Sequence, residues 1–362
     1  MKDFSLSLPI NPVSFGQLST AVCRELFGRN IYPACWPLDG PNLETQKHDP
    51  KFDEYINKIV NEAPLKHSRD NKCFSLWHLV PNSMSSWSKH GNNLLTFHEL
   101  DKPTDFELKI ASNCNIVYFS SEYSCDIFRA AGANNIKYLP LFFDSHNFKR
   151  LNKKFFNDDR ITFSLCGKFE KRKHHAKILQ AWAKKYGNDK RYYLNAALYN
   201  TFLKPEENQA AVFGSLGNQQ YFNMNFVSRM GPNEIYNDFL NSADIVIGMS
   251  GGEGWGLPEF QSLAMGKHGV ILNAHAYKGW ANETNAVMVN PSGKIPAYDG
   301  RFFKEGGPVN QGEIFDWKED DFIDACEEAI KRYQNNPVNE KGLKLQEEFP
   351  VSKTVDLILE DL

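Results

Sequence analysis

One stretch in the second half of the chain constrains its fold more than any other: Ser250-Gly251-Gly252-Glu253-Gly254-Trp255-Gly256-Leu257-Pro258-Glu259-Phe260-Gln261. It follows a short apolar run, 245–249, that reads as a buried strand. It leads into residues 258–265, which read as a helix. Glycines between a strand and a helix let a ligand approach the backbone closely. The helix N-terminus adds free N–H groups and a partial positive charge, which suit a phosphate. Glu253 stands at the mouth of this corner. A carboxylate is a poor phosphate partner but a good acceptor for sugar hydroxyls. The combination suits a ligand with both phosphates and a sugar. Spacing alone leaves a plainer alternative, a Gly-rich turn with a solvated glutamate.

The rest of the chain agrees with such a corner. Residues 4–10, 74–80, 94–97, 116–120 and 136–141 read as strands, with helices at 18–27, 104–113 and 124–131. A polar stretch, 147–160, separates them from a second alternating series. Its strands fall at 161–166, 192–198, 225–227, 245–249 and 270–272, and its helices at 177–185, 234–242, 258–265, 317–333 and 351–362. Residues 291–311, rich in Gly and Pro, read as a long surface loop. Alternating strands and helices imply parallel sheets covered on both faces. With 362 residues the chain exceeds one ordinary core. It divides into an N-terminal domain, 1–153, and a C-terminal domain, 154–349, followed by a last helical segment, 350–362. Two doubly wound domains in tandem place a cleft between the C-terminal ends of two sets of strands, where ligands bind in open α/β sheets.

Composition narrows the function. The net charge of −3 does not favour a nucleic-acid partner, although the basic stretch 168–175 leaves one open. Seven scattered cysteines without a C-x-x-C pair fit reduced thiols in a cytoplasmic protein. No apolar run reaches the roughly 18 to 20 residues of a membrane helix, and residues 1–11 lack the apolar core of a signal peptide. No two Asp residues are separated by a single residue, and there is no H-x-x-x-H pair and no P-loop. Metal-dependent and P-loop chemistry are not expected, and neither is a cofactor.

The turn resembles the donor-site motif of retaining glycosyltransferases of family 4, which have the GT-B fold of two facing Rossmann-like domains. In that family an acid at the place of Glu253 faces the donor sugar, and backbone N–H groups of the turn, here Gly252, Gly254, Trp255, Gly256 and Leu257, hold the diphosphate. A second glutamate holds the ribose; this chain has Gln261 there. Gly167-Lys168-Phe169-Glu170-Lys171-Arg172-Lys173 resembles the family's cationic loop, with Lys168 at the position of its Arg and Lys173 at that of its Lys. Both cations would grip the departing diphosphate. Pro12-Val13-Ser14-Phe15-Gly16-Gln17 resembles the first strand-to-helix loop, in which Gly16 would approach donor or acceptor. His98, at the end of a strand, resembles a His that touches the donor sugar, and Glu99 and Asp101 are neighbouring candidates for acceptor contacts. The resemblance also implies that the last helix crosses back to the first domain.

The reading is a metal-independent, hexosyltransferase-like enzyme of EC class 2.4. It would move a sugar from a nucleoside diphosphate sugar to the hydroxyl of a glycan, lipid, protein or modified nucleobase, with retention of configuration. The alternatives are a sugar-nucleotide-binding protein without turnover and another GT-B-type enzyme, such as a phosphorylase or epimerase.

Overall fold

The computed structural model describes residues 3–81, 88–228 and 230–362. Met1 and Lys2, part of the segment read for a signal peptide, lie outside them. Six short parallel strands form the first sheet: β1 (Phe4–Leu8), β2 (Ala34–Pro37), β3 (Lys72–Leu76), β4 (Asn92–Thr96), β5 (Ile116–Phe119) and β6 (Ile136–Tyr138), in the order β2-β1-β3-β4-β5-β6. Its helices are α1 (Ser14–Gly28), α2 (Pro50–Asn61), α3 (Ala63–Lys66), α4 (Asp105–Ser112) and α5 (Glu122–Ala130). Local chemistry sets their starts. Asp49 caps α2 by accepting from Phe52 N, with Pro50 at the first helical position. Thr104 and Glu107 close a reciprocal capping box on α4.

The second sheet repeats the plan. Its strands are β7 (Ile161–Gly167), β8 (Tyr192–Leu198), β9 (Met224–Phe226), β10 (Ile245–Gly248), β11 (His268–Leu272) and β12 (Val287–Val289), all parallel, in the order β12-β11-β10-β7-β8-β9. Helices α6 (His175–Tyr186), α7 (Pro205–Ser215), α8 (Asn233–Ser242) and α9 (Leu257–Ala264) connect them. β10 is buried along its whole length, as expected of a central strand covered on both faces. The strand order reverses between β7 and β10. At such a switch point the two following loops diverge and leave a crevice. The loop after β7 carries Lys168 to Lys173, and the turn after β10 carries Glu253.

Residues 291–311 are not the open loop the Gly and Pro content suggested. β13 (Gly293–Pro296) pairs antiparallel with β14 (Glu313–Asp316), so the stretch is a long hairpin. Polar residues at its tip hid the strands, and cross-strand pairing with residues beyond the stretch defines them. The hairpin leans on the first domain: Lys294 pairs with Asp101 at 2.7 Å, and Glu313 N donates to the same carboxylate at 2.8 Å. Then follow α10 (Glu319–Asn335), α11 (Glu340–Leu343), α12 (Leu345–Glu348) and α13 (Val351–Glu360). α13 returns to the first domain, where it packs on α1, and Thr354 Oγ1 donates to Pro140 O at 2.9 Å. Among the described residues no helix is long and apolar enough to cross a membrane.

Candidate functional site

The turn after β10 is buried from Ser250 to Gly256. Gly256 takes the left-handed conformation, φ +86°, and there the chain swings into α9. The first domain closes over the turn. A side chain on Gly252 would meet Glu99 O at 2.3 Å, and one on Gly254 would meet the Phe97 ring at 2.7 Å. Ser120 Oγ donates to Gly254 O at 2.6 Å. The loops after β4 and β5 thus face the turn after β10, with strand C-terminal ends toward each other across the inter-domain cleft.

At the centre stands a cluster of buried charges. Lys173 Nζ donates to Glu253 Oε1, and the Arg172 guanidinium donates to Gly252 O. Arg172 also lies 3.4 Å from Glu253, 3.3 Å from Glu170 and 3.2 Å from Glu99. A single-turn 3-10 helix, Lys171–Lys173, presents both cations, and Gly251 N anchors it by donating to Arg172 O at 2.9 Å. Burial opposes the charge of Glu253, but Lys173 and Arg172 outweigh it and hold the carboxyl well below its usual range. Burial likewise opposes the charge of Lys173, which Glu253 keeps protonated. His275 Nε2 donates to Ser250 O at 2.8 Å beneath the turn, and burial pushes its pKa down to about 4, so its ring is neutral.

The positions singled out in the sequence fall into two groups. Glu253, Lys173, Gly252 and Gly254 meet at the cluster. Gln261 is buried on α9, and its Oε1 has no hydrogen-bond partner among the described residues. Leu257 opens α9. Lys168 stands apart: its side chain is 43% exposed, paired with Glu170 at 3.4 Å and over the Phe202 ring at 5.2 Å. Trp255 turns its ring into the core among Phe260, Trp280 and Phe349, so only its backbone faces the turn. His98 is buried against Phe128, with Nδ1 3.8 Å from Glu107, and burial pushes its pKa down. Gly16 lies in the first turn of α1, where a side chain would strike the backbone of Asn11.

Arg172 and Glu259 were not singled out. Arg172 sits one residue from Lys173 in a basic run, where charge alone does not tell a buried cation from a solvated one. Glu259 is 4% exposed, packs against Gly248 and Gly256, and has its carboxyl pushed up to about 7 by burial, against Lys173. A carboxylate in an apolar helix, Leu257-Pro258-Glu259-Phe260, was the available signal. Among the described residues no group of three or more His, Cys, Asp or Glu side chains is placed to hold a metal ion.

No family model matches the chain, and no curated protein matches it in sequence. Solved structures do. Sucrose-phosphate synthase from Thermosynechococcus elongatus superposes with TM-score 0.67 at 11% identity, covering 100% of this chain and 98% of its own. A glycosyltransferase from Rickettsia africae gives 0.67 at 12% identity, over 99% and 98%. HepE from Anabaena, in complex with UDP-glucose, gives 0.63 at 12% identity, over 100% of both chains. The chain has the GT-B fold: two facing Rossmann-like domains with a cleft between them.

Proposed function

We propose that the chain is a retaining glycosyltransferase that takes a sugar from a nucleoside diphosphate sugar. The observation that carries the reading is the pairing of Glu253 with Lys173 and Arg172 at a glycine turn that opens a helix. This corner offers a carboxylate for sugar hydroxyls beside two cations and a helix N-terminus for a diphosphate. The unpartnered Oε1 of Gln261 is suited to a ribose hydroxyl. The C1–phosphate bond breaks, C1 bonds to the acceptor oxygen on the same face, and the acceptor proton passes to the departing phosphate oxygen. Lys173, Arg172 and the turn N–H groups stabilise the charge that develops on the diphosphate. The chemistry needs no cofactor or metal. The seven cysteines are free and buried, which supports a cytoplasmic setting.

The UDP-glucose bound in HepE makes UDP sugars the first donors to test. Release of UDP from a panel of sugar donors, with and without candidate acceptors, should be seen for the native protein in the presence of a chelator. Glu253→Gln should reduce it at least a hundredfold. Full activity in Glu253→Gln would overturn the assignment of this site. Binding without release in every combination would instead favour a sugar-nucleotide-binding protein, the second reading. The solvent-exposed place of Lys168, away from Glu253, leaves that reading standing.

A further inference from the structure

Four members of the buried charge cluster belong to the second domain: Glu170, Arg172, Lys173 and Glu253. The fifth, Glu99, comes from the first. It is also the most exposed of them, with 29% of its side chain accessible against 3% for Arg172 and Glu170, 7% for Glu253 and 10% for Lys173. The other guanidinium nitrogens of Arg172 are engaged by Gly252 O, Glu170 and Glu253, all buried, whereas its Nε makes no hydrogen bond and meets Glu99 only as an ion pair at 3.2 Å. Glu99 is therefore the outermost group on Arg172.

Charge points the same way. Three carboxylates share Arg172 and Lys173, with Lys168 outside on Glu170, so an incoming diphosphate adds negative charge where acids and bases already balance. The acid held most weakly is the one such an anion would displace. Glu253 is held by both cations, and Glu170 is buried with Arg172 and Asn200 about it. Among the described residues Glu99 has one ion-pair partner, and it reaches solvent. Its backbone carbonyl also lies against Gly252, so the same residue touches both the glycine turn and Arg172.

We propose that Glu99 is an internal stand-in for the donor diphosphate, occupying Arg172 in the free protein and giving it up to the incoming anion. While Glu99 is bound, the first domain is latched over the turn. When a diphosphate replaces it, the carboxylate is released on the acceptor side of the cleft. The identity of the anion rests on the transferase reading; the exchange itself requires no turnover.

An internal competitor lowers apparent affinity by the fraction of molecules that it leaves free. A stand-in seated in about nine of ten molecules costs about tenfold. Glu99→Gln keeps the shape and removes the charge, so it should bind inorganic pyrophosphate and UDP about tenfold more tightly than the native protein, by calorimetry at fixed ionic strength. Glu99→Asp, with a shorter reach, should show a smaller gain and serves if the Gln variant folds poorly. In an Arg172→Met background Glu99→Gln should produce no gain. Native binding that is unchanged or weakened in both Glu99 variants would overturn the stand-in while leaving the transferase reading in place. Failure of the native protein and both variants to bind pyrophosphate, UDP, GDP or ADP would overturn the two together.

Discussion

At the residue scale, the neighbours Arg172 and Lys173 and the nearby Lys168 share a basic run but not an environment. Removing Lys173 takes away a buried charge-assisted contact, which contributes roughly 1.5 to 3 kcal/mol. Lys173→Ala should therefore weaken nucleoside diphosphate binding about ten- to a hundredfold by calorimetry. Lys168→Ala, from an exposed pair, should shift it less than about threefold, since surface ion pairs contribute little. Equal losses at both positions would mean that Lys168 swings into the site on binding. Glu259 carries a second residue-scale consequence. Its carboxyl is raised from 4.5 to about 7, so the folded chain keeps a proton that the unfolded chain has lost across that window. The stability it contributes is present below pH 4.5 and is lost as pH rises toward 7. Over that span the loss amounts to about 3 kcal/mol. Glu259→Gln should flatten the pH dependence of denaturant stability in this window, and an unchanged slope would show that Lys173 and Tyr277 already keep Glu259 ionised.

At the element scale, the hairpin of β13 and β14 is held to the first domain mainly through Asp101, which takes Lys294 with one oxygen and Glu313 N with the other. Thr104 Oγ1 adds a bond to Pro308 O, and Asn310 N one to Glu107. The hairpin therefore straps α4 to the second domain beside Glu99. Asp101→Ala removes a charged acceptor worth roughly 1.5 to 3 kcal/mol. Amide hydrogen exchange across the hairpin should speed up about tenfold or more, while β7 and β10 stay protected. Unchanged protection of the hairpin would show that its own pairing, and not Asp101, holds it. Sequence periodicity located most elements of both sheets, because their parallel strands are short segments rich in apolar residues between turn signals. It passed over α7, which buries only Asn208 and Val212 and so has no apolar stripe to read. It also passed over the hairpin, whose strands, Gly-Lys-Ile-Pro and Glu-Ile-Phe-Asp, are four residues each and too short to show a period.

At the scale of the whole molecule, closure depends on backbone contact between the domains at Gly252. A side chain there would lie 2.3 Å from Glu99 O, and a backbone oxygen cannot yield as a flexible side-chain tip can. Gly252→Val should prop the domains apart, which small-angle scattering of the ligand-free protein would register as a larger radius of gyration. An unaltered radius would mean that the turn itself gives way.

What the amino-acid sequence determined by itself is the plan: two alternating α/β series, a glycine turn between a buried strand and a helix, and Glu253 and Lys173 as its charged groups. These follow from local rules, the period of apolar residues and the special backbone of glycine, which act over a few residues. Only the tertiary structure decided which neighbours of those groups belong with them. Arg172 is inside and Lys168 outside, the ring of Trp255 is in the core, His98 faces Glu107, and Glu99 reaches across from the other domain to close the cluster. The reason is that burial and charge pairing depend on what the second domain or a distant loop brings within about 4 Å, the range over which ion pairs form. No spacing along the chain encodes that approach.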